Sequence, residues 1–151
     1  MAPFFIQILF MVSILPIQIT DIQGDGFHLM VEVKVKRKKL RLLIDSGASR
    51  TVFDETQMKH HFKDIELFAL DRLSTGLGTS TLQGNYTVLS SITLGNHKIE
   101  KYKAVVLDLQ HVNESYHQIE VQKIDGVLGS DLLKQLNAVI NYGNATLTLT
   151  T

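Results

Sequence analysis

One aspartate stands out for its surroundings. In Leu42-Leu43-Ile44-Asp45-Ser46-Gly47-Ala48-Ser49, three aliphatic residues lead straight into an acid, a hydroxyl and a glycine. The apolar run reads as a strand being buried. Its end delivers a carboxylate into a tight turn of small residues, where other backbone can come close. Burying such a charge is costly unless it is paired or shares a proton, so a turn with a purely structural task has little use for it. A carboxylate presented this way suits general acid–base chemistry. Taken alone, the same residues also fit a plain strand-end turn, and the rest of the chain has to decide between the two.

Other residues with chemical potential are less well placed. The chain has no Cys, which removes disulfides, thiolate metal sites and a cysteine nucleophile. His60 and His61 are adjacent; neighbours on a helix diverge, so they read as surface histidines. His111, Glu114 and His117 lack regular spacing and a carboxylate-rich partner set, so no metal and no cofactor are expected. Leu73 to Gly84 is small, polar and Gly-rich. No Lys stands where a phosphate loop needs one and no helix signal follows, so a hairpin is expected. The basic cluster from Lys34 to Arg41 reads as a solvated hairpin whose charges discourage edge pairing.

Composition bounds the class. With 151 residues the chain can build one domain with a real core. Hydrophobic residues at 44% and charged residues at 20% mark it as globular. Lys plus Arg equals Asp plus Glu, 15 each, which argues against a nucleic-acid partner. Val, Ile and Thr are plentiful, Trp is absent and Pro is scarce, a balance that favours strands.

Residues 1–20 carry no charged side chain. Residues 1–13 are expected to be an apolar N-terminal extension, a candidate signal or anchor, and residues 14–151 the folded domain. No basic residue precedes the apolar run and no small-residue cleavage site follows it. It is also short for a spanning helix. Membrane contact is expected only if residues 1–20 act as an anchor. The cytoplasm is preferred, with secretion or anchoring through residues 1–20 as the alternatives.

Leu15 to Thr20 alternates as a half-buried strand. Phe27 to Val35 is a long amphipathic strand, Lys36 to Lys39 turns, and Leu40 to Ile44 returns. Thr51 to Phe53 is a short strand. Asp54 is placed to cap a helix over 55–61, with Gln57 three residues on and Phe53 and Met58 in staple positions. Tyr86 to Leu94 and Ile99 to Leu109 pair about the Gly95-Asn96 turn. Residues 110–123 read as a polar loop. Ile124 to Gly129 is a buried strand, after which Ser130 or Asp131 caps a helix bearing Leu132, Leu133 and Leu136. Ala138 to Asn141 and Ala145 to Thr150 close the chain. Eight or nine short strands and one or two short helices make an all-β, closed or nearly closed barrel.

Two separated stretches now read together. Leu43-Ile44-Asp45-Ser46-Gly47-Ala48-Ser49 resembles the active-site signature of the retropepsin-like aspartic proteases. Val127-Leu128-Gly129, followed by Ser130-Asp131-Leu132-Leu133, resembles that family's second motif, two apolar residues and a Gly before a helix. About 80 residues separate them, with the Gly-rich 73–84 hairpin between, in the family's order. More narrowly, Asp25-Gly26-Phe27-His28 and Ile124-Asp125-Gly126-Val127-Leu128-Gly129-Ser130-Asp131 resemble the single-domain bacterial members.

The resemblance implies a peptide or protein substrate and a homodimer. Two carboxylates held close cannot both ionise, so they share a proton and titrate as a unit. The chain has one Asp-Ser-Gly, and Asp125-Gly126 lacks the hydroxyl and belongs to the second motif. Asp45 would then pair with Asp45 of a second copy across a two-fold axis. The Ser46 hydroxyl would tie the two loops together across the interface, and Gly47, without a Cβ, would permit close approach. Ala48 would complete the loop. Val127, Leu128 and Gly129 would back it, and Thr75, Gly76, Leu77 and Gly78 would form a flap over substrate. Ala145 to Thr150 is a candidate intersubunit strand. The competing expectation keeps the fold as a catalytically weak or inactive peptide-binding or dimerisation module.

Overall fold

The computed structural model describes residues 10–70 and 84–151. The expected hairpin of strands, β3 (Phe27–Val35) and β4 (Lys38–Ile44), turns tightly at Lys36-Arg37, pairing Val35 with Lys38 and Met30 with Leu43. Lys36 takes a left-handed φ of 55° there. Alternation puts Val31, Val33, Val35, Leu40, Leu42 and Ile44 into one core, as a period of two requires.

Six strands close on themselves. β3 pairs with β4, and β4 runs parallel to β9 (Gly126–Leu128). β9 pairs with β5 (Val52–Asp54), which runs parallel to β8 (His97–Leu107). β8 pairs with β7 (Asn85–Leu94) across the Gly95-Asn96 turn, and β7 returns to β3. β2 (Gln18–Asp21) lies against the free edge of β3, and β6 (Phe68–Ala69) against β7.

A second sheet joins the ends of the chain. β11 (Thr146–Thr150) is its central strand, with β1 (Val12–Pro16) on one side and β10 (Val139–Asn141) on the other. The last strand is thus paired within the chain. Both edges of β11 are used within the chain, and the outer edges of this sheet are those of β1 and β10. β1 itself begins at Val12, and Ser13 is buried.

Three short helices lie among the described residues. α1 (Glu55–His61) starts as expected: Asp54 accepts from the Gln57 amide at 3.0 Å, and Phe53 and Met58 are both fully buried. α2 (Gln110–Gln118) corrects the loop expected over 110–123. Leu109, Val112, Tyr116 and Ile119 recur at helical spacing, and Tyr116 packs with Met30 and Ile124 in a second, smaller cluster outside the barrel. The Asn113 side chain fastens the helix to both backbone groups of Ile124, at 2.8 and 3.0 Å. α3 (Ser130–Gln135) buries Leu132 and Leu133 as expected. Its cap position is Gly129, with no side-chain cap, because the Asp131 carboxylate is engaged elsewhere. No helix among the described residues is long and apolar enough to cross a membrane.

Candidate active site

Asp45 stands one residue beyond β4. Its amide donates to Leu128 O at 3.0 Å, extending the β4–β9 pairing to the carboxylate-bearing residue. The chain then turns back: Ala48 N donates to Asp45 O at 3.1 Å, and Gly47 N to Asp45 Oδ1 at 2.9 Å. A carboxylate that accepts a backbone N–H is oriented before any ligand arrives. Within this single chain Asp45, Ser46 and Gly47 are exposed and Ala48 is half-buried.

Strand β9 lies between β4 and β5, so the 45–51 loop must arch over its end. Gly129 makes that possible. A Cβ there would stand 2.5 Å from both C and O of Arg50 and 2.9 Å from Ala48 O. Ser130 N donates to Ala48 O at 2.7 Å, fixing the arch from below. Val127 is half-buried and Leu128 fully buried. The tight approach within one chain is therefore at Gly129. At Gly47 a Cβ would meet only the Asp45 carboxylate, at 3.3 Å.

The loop's far end is held by a network that the sequence reading did not find. Fully buried Thr51 donates to Asp131 Oδ1 from its amide and its hydroxyl, and the same hydroxyl accepts from Gly129 N at 2.9 Å. Tyr102 donates to Asp131 Oδ2 at 3.0 Å, with Arg50 Nε 3.9 Å from that oxygen. Burial, and then the adjacent Asp131, hold the Tyr102 phenol well above its ordinary range. The available signal was Thr51, a small polar residue in an otherwise apolar strand.

Asp45 and Ser46 open onto a cavity of ≈ 280 Å³ that also meets His28, Phe27, Ile140 and Tyr142. A larger cleft of ≈ 520 Å³ lies further along β3 and β4 and does not include Asp45. There His61 Nε2 meets Asp125 Oδ1 at 2.9 Å, and Arg41 N donates to Asp125 Oδ2 at 2.8 Å. Asp125 N donates to Arg41 O, and Asp125 O accepts from Asp54 N. Asp125 is thus a buried clasp between β4, β5 and α1. His60 is exposed as expected, while His61 is partly buried by this contact. The expected flap residues Thr75, Gly76, Leu77 and Gly78 lie outside the described residues. Their described flanks pair antiparallel, with Phe68 opposite Tyr86 and Leu70 N donating to Gly84 O at 3.1 Å.

A family model described as aspartyl protease matches residues 31–132, from the middle of β3 into α3. The chain belongs to the aspartyl protease family. The matched span holds both the Asp45 loop and the Gly129 backing. No curated protein matches the chain in sequence. Among solved structures, a retropepsin-like aspartic protease from Rickettsia conorii superposes with a TM-score of 0.55 at 16% identity, covering 94% of this chain and 92% of that one. The retroviral protease-like domain of Ddi1 from Leishmania major gives 0.51 at 16% identity, over 81% and 87%. EIAV protease in complex with an inhibitor gives 0.53 at 17%, over 81% and 99%. This aspartyl protease family member has the retropepsin-like fold, as its motifs imply.

Proposed function

We propose that the chain is an aspartic endopeptidase acting as a homodimer, each copy supplying one Asp45 to a carboxylate dyad. The observation that carries this reading is the setting of Asp45: an exposed, backbone-oriented carboxylate at the tip of β4, in a loop held over Gly129. The buried acids Asp54 and Asp125 are committed to structural bonds, as is the carboxylate of Asp131. None of them is free to complete a pair with Asp45. In this reading the partner carboxylate comes from a second copy.

In the dyad one carboxylate is ionised and the other protonated, because two close charges cannot coexist. The ionised member takes a proton from a water held between them, and that water attacks the peptide carbonyl. The protonated member gives its proton to the carbonyl oxygen. Ser46 is the hydroxyl placed to bond across the two loops, Gly47 and Ala48 complete the turn, and Val127, Leu128 and Gly129 support it from behind. Residues Thr75 to Gly78 are assigned to cover the peptide. The terminal sheet supplies a surface for the second copy. Val12, Ile14 and Val139 lie on its outer face, exposed by 48%, 67% and 59%.

The test is incubation of wild type and Asp45→Asn with a mixed peptide library. Cleavage by wild type alone, with activity per chain falling on dilution, is expected. Equal cleavage by both removes the reading. Peptide binding without cleavage by either would instead identify a non-catalytic module.

A further inference from the structure

We propose that His28 determines specificity in the Asp45 cleft, selecting substrates with an acidic side chain next to the cut bond. The inference rests on the protease reading above and names the substrate class of that site.

The placement follows from strand register. Met30 pairs with Leu43. Continuing that antiparallel register by two residues sets His28 opposite Asp45, and directly opposed residues share a face. Both line the same ≈ 280 Å³ cavity. His28 is half-buried, so its ring is neither sealed in the core nor free in solvent.

The ring is also oriented. His28 Nδ1 lies 2.7 Å from the Tyr116 hydroxyl, and the two rings meet edge to face at 5.7 Å. Tyr116 is buried, and it is carried by α2, which Asn113 fastens to Ile124. A histidine held through Nδ1 has Nε2 left to meet a ligand, and among the described residues Nε2 has no recorded partner. Side chains with a fixed ring direction make selective contacts, since little rotational freedom is lost on binding.

Charge decides what the ring selects. A dyad sharing one proton carries a net negative charge, which repels an acidic substrate side chain unless a cation offsets it. His28 is the one basic side chain among the described residues lining the cavity. The charged and titratable groups around it are Asp45 beyond β4, Tyr116 on α2, Tyr142 across the cavity, and Asp21 beside its β2 partner Thr20. Arg41, further back on β4, acts on Tyr116. With Asp45 opposite on the neighbouring strand and no Lys or Arg among the residues lining the cavity, an imidazolium is the natural counterpart of a substrate Glu or Asp. A charged hydrogen bond of this kind discriminates against a neutral isostere by about tenfold.

The experiment takes one library peptide that the wild type cleaves and places Glu or Gln in turn at each position flanking the cut. The Glu/Gln ratio of kcat/KM is measured at about pH 5 and about pH 8, which bracket imidazole titration. Dyad ionisation acts on the wild type and on His28→Gln alike, so the ratio of His28→Gln at each pH is the baseline. For wild type, one position should favour Glu about tenfold more at the lower pH. His28→Gln should abolish that preference at both pH values, and His28→Lys, permanently charged, should keep it at both. Cleavage by wild type with a ratio unchanged by pH, or preserved in His28→Gln, overturns the role of His28 and leaves the protease reading standing. If no peptide is cleaved, the protease reading falls first. Glu and Gln versions of a library peptide that Asp45→Asn binds are then titrated onto Asp45→Asn and its His28→Gln double variant; equal affinity for the Glu and Gln versions overturns the inference there as well.

Discussion

Thr51 meets Asp131 twice: its amide and its hydroxyl both donate to Oδ1, at 2.8 and 2.7 Å. These residues lie 80 positions apart in the chain. The contact joins the end of the Asp45 loop to the first turn of α3. Because the Thr51 hydroxyl also accepts from Gly129 N, one buried oxygen links the loop, the backing motif and the helix.

Replacing Asp131 by Ala leaves two buried Thr51 donors and the Tyr102 hydroxyl without their acceptor. The expected loss is roughly 1–3 kcal/mol, the cost of stranding buried polar groups. Asp131→Asn should cost less, because its amide oxygen can still accept from Thr51 and its NH2 can meet the Tyr102 oxygen. Arg50 adds little to this comparison, since its side chain is 50% exposed and 3.9 Å away. Urea midpoints of the two variants and of wild type decide the order; equal midpoints for the two variants, both below wild type, would mean that the amide cannot replace the carboxylate.

Gly129 and Gly47 separate backbone clearance from carboxylate setting. Gly129→Ala drives a methyl into Arg50 and Ala48 backbone, so the loop must shift. We expect a loss of about 1–3 kcal/mol, as for other overpacked sites, together with loss of Asp45-dependent cleavage. Gly47→Ala meets only Asp45 Oδ1, at 3.3 Å. It should leave stability within about 0.5 kcal/mol of wild type, the usual range for a surface change, while lowering kcat. Denaturation and cleavage measured on the same preparations test the split.

Much of this site was legible because its signals are local. An apolar run ending in Asp-Ser-Gly, an Asp three residues before Gln57, and Gly95-Asn96 between alternating segments each act over a few residues. The parts that were not legible are long-range. α2 carries mostly polar side chains, and Val112, Tyr116 and the flanking Ile119 gain meaning only when Met30 and Ile124 are there to receive them. The central place of β11 depends on β1, at the other end of the chain. His28 alternates on the polar side of β3, and only the two-residue turn at Lys36-Arg37 sets it opposite Asp45. A turn read as four residues, Lys36 to Lys39, hides that register.

Leu15, Leu147 and Leu149 pack the terminal sheet into the barrel core, and a buried polar cluster adds a second tie. Ser13 Oγ lies 2.6 Å from His97 Nδ1 and accepts from Asn96 N at 2.8 Å, under the β7–β8 turn. Gly95 has a φ of 60°, and a Cβ there would stand 2.6 Å from Ser13 Cβ. Ser13→Ala leaves the Asn96 amide and His97 Nδ1 without their partner, an expected cost of roughly 1–3 kcal/mol. Gly95→Ala adds left-handed strain of about 1–2 kcal/mol to the clash. Both should speed amide exchange in β1 and β11 ahead of β3 and β4. Uniform acceleration across all four strands would show that the sheet and barrel open as one unit.

Tyr102 gives a pH dependence with a definite sign. Its folded-state pKa is raised, first by burial and then by Asp131. An unfolded tyrosine titrates near about pH 10. A group whose pKa is raised on folding contributes stability that is complete below the unfolded value and lost as pH rises through the folded one. Wild type should therefore lose stability above about pH 10. Tyr102→Phe lacks both the ionisation and the bond to Asp131 Oδ2, so near neutral pH it should be less stable by about 1 kcal/mol. Above about pH 10 the difference between the two should shrink, because only wild type has this proton to lose. Urea midpoints of both proteins across that range measure it directly. A difference that grows with pH would mean the phenol ionises more easily in the folded chain than in the unfolded one, contrary to its position against Asp131.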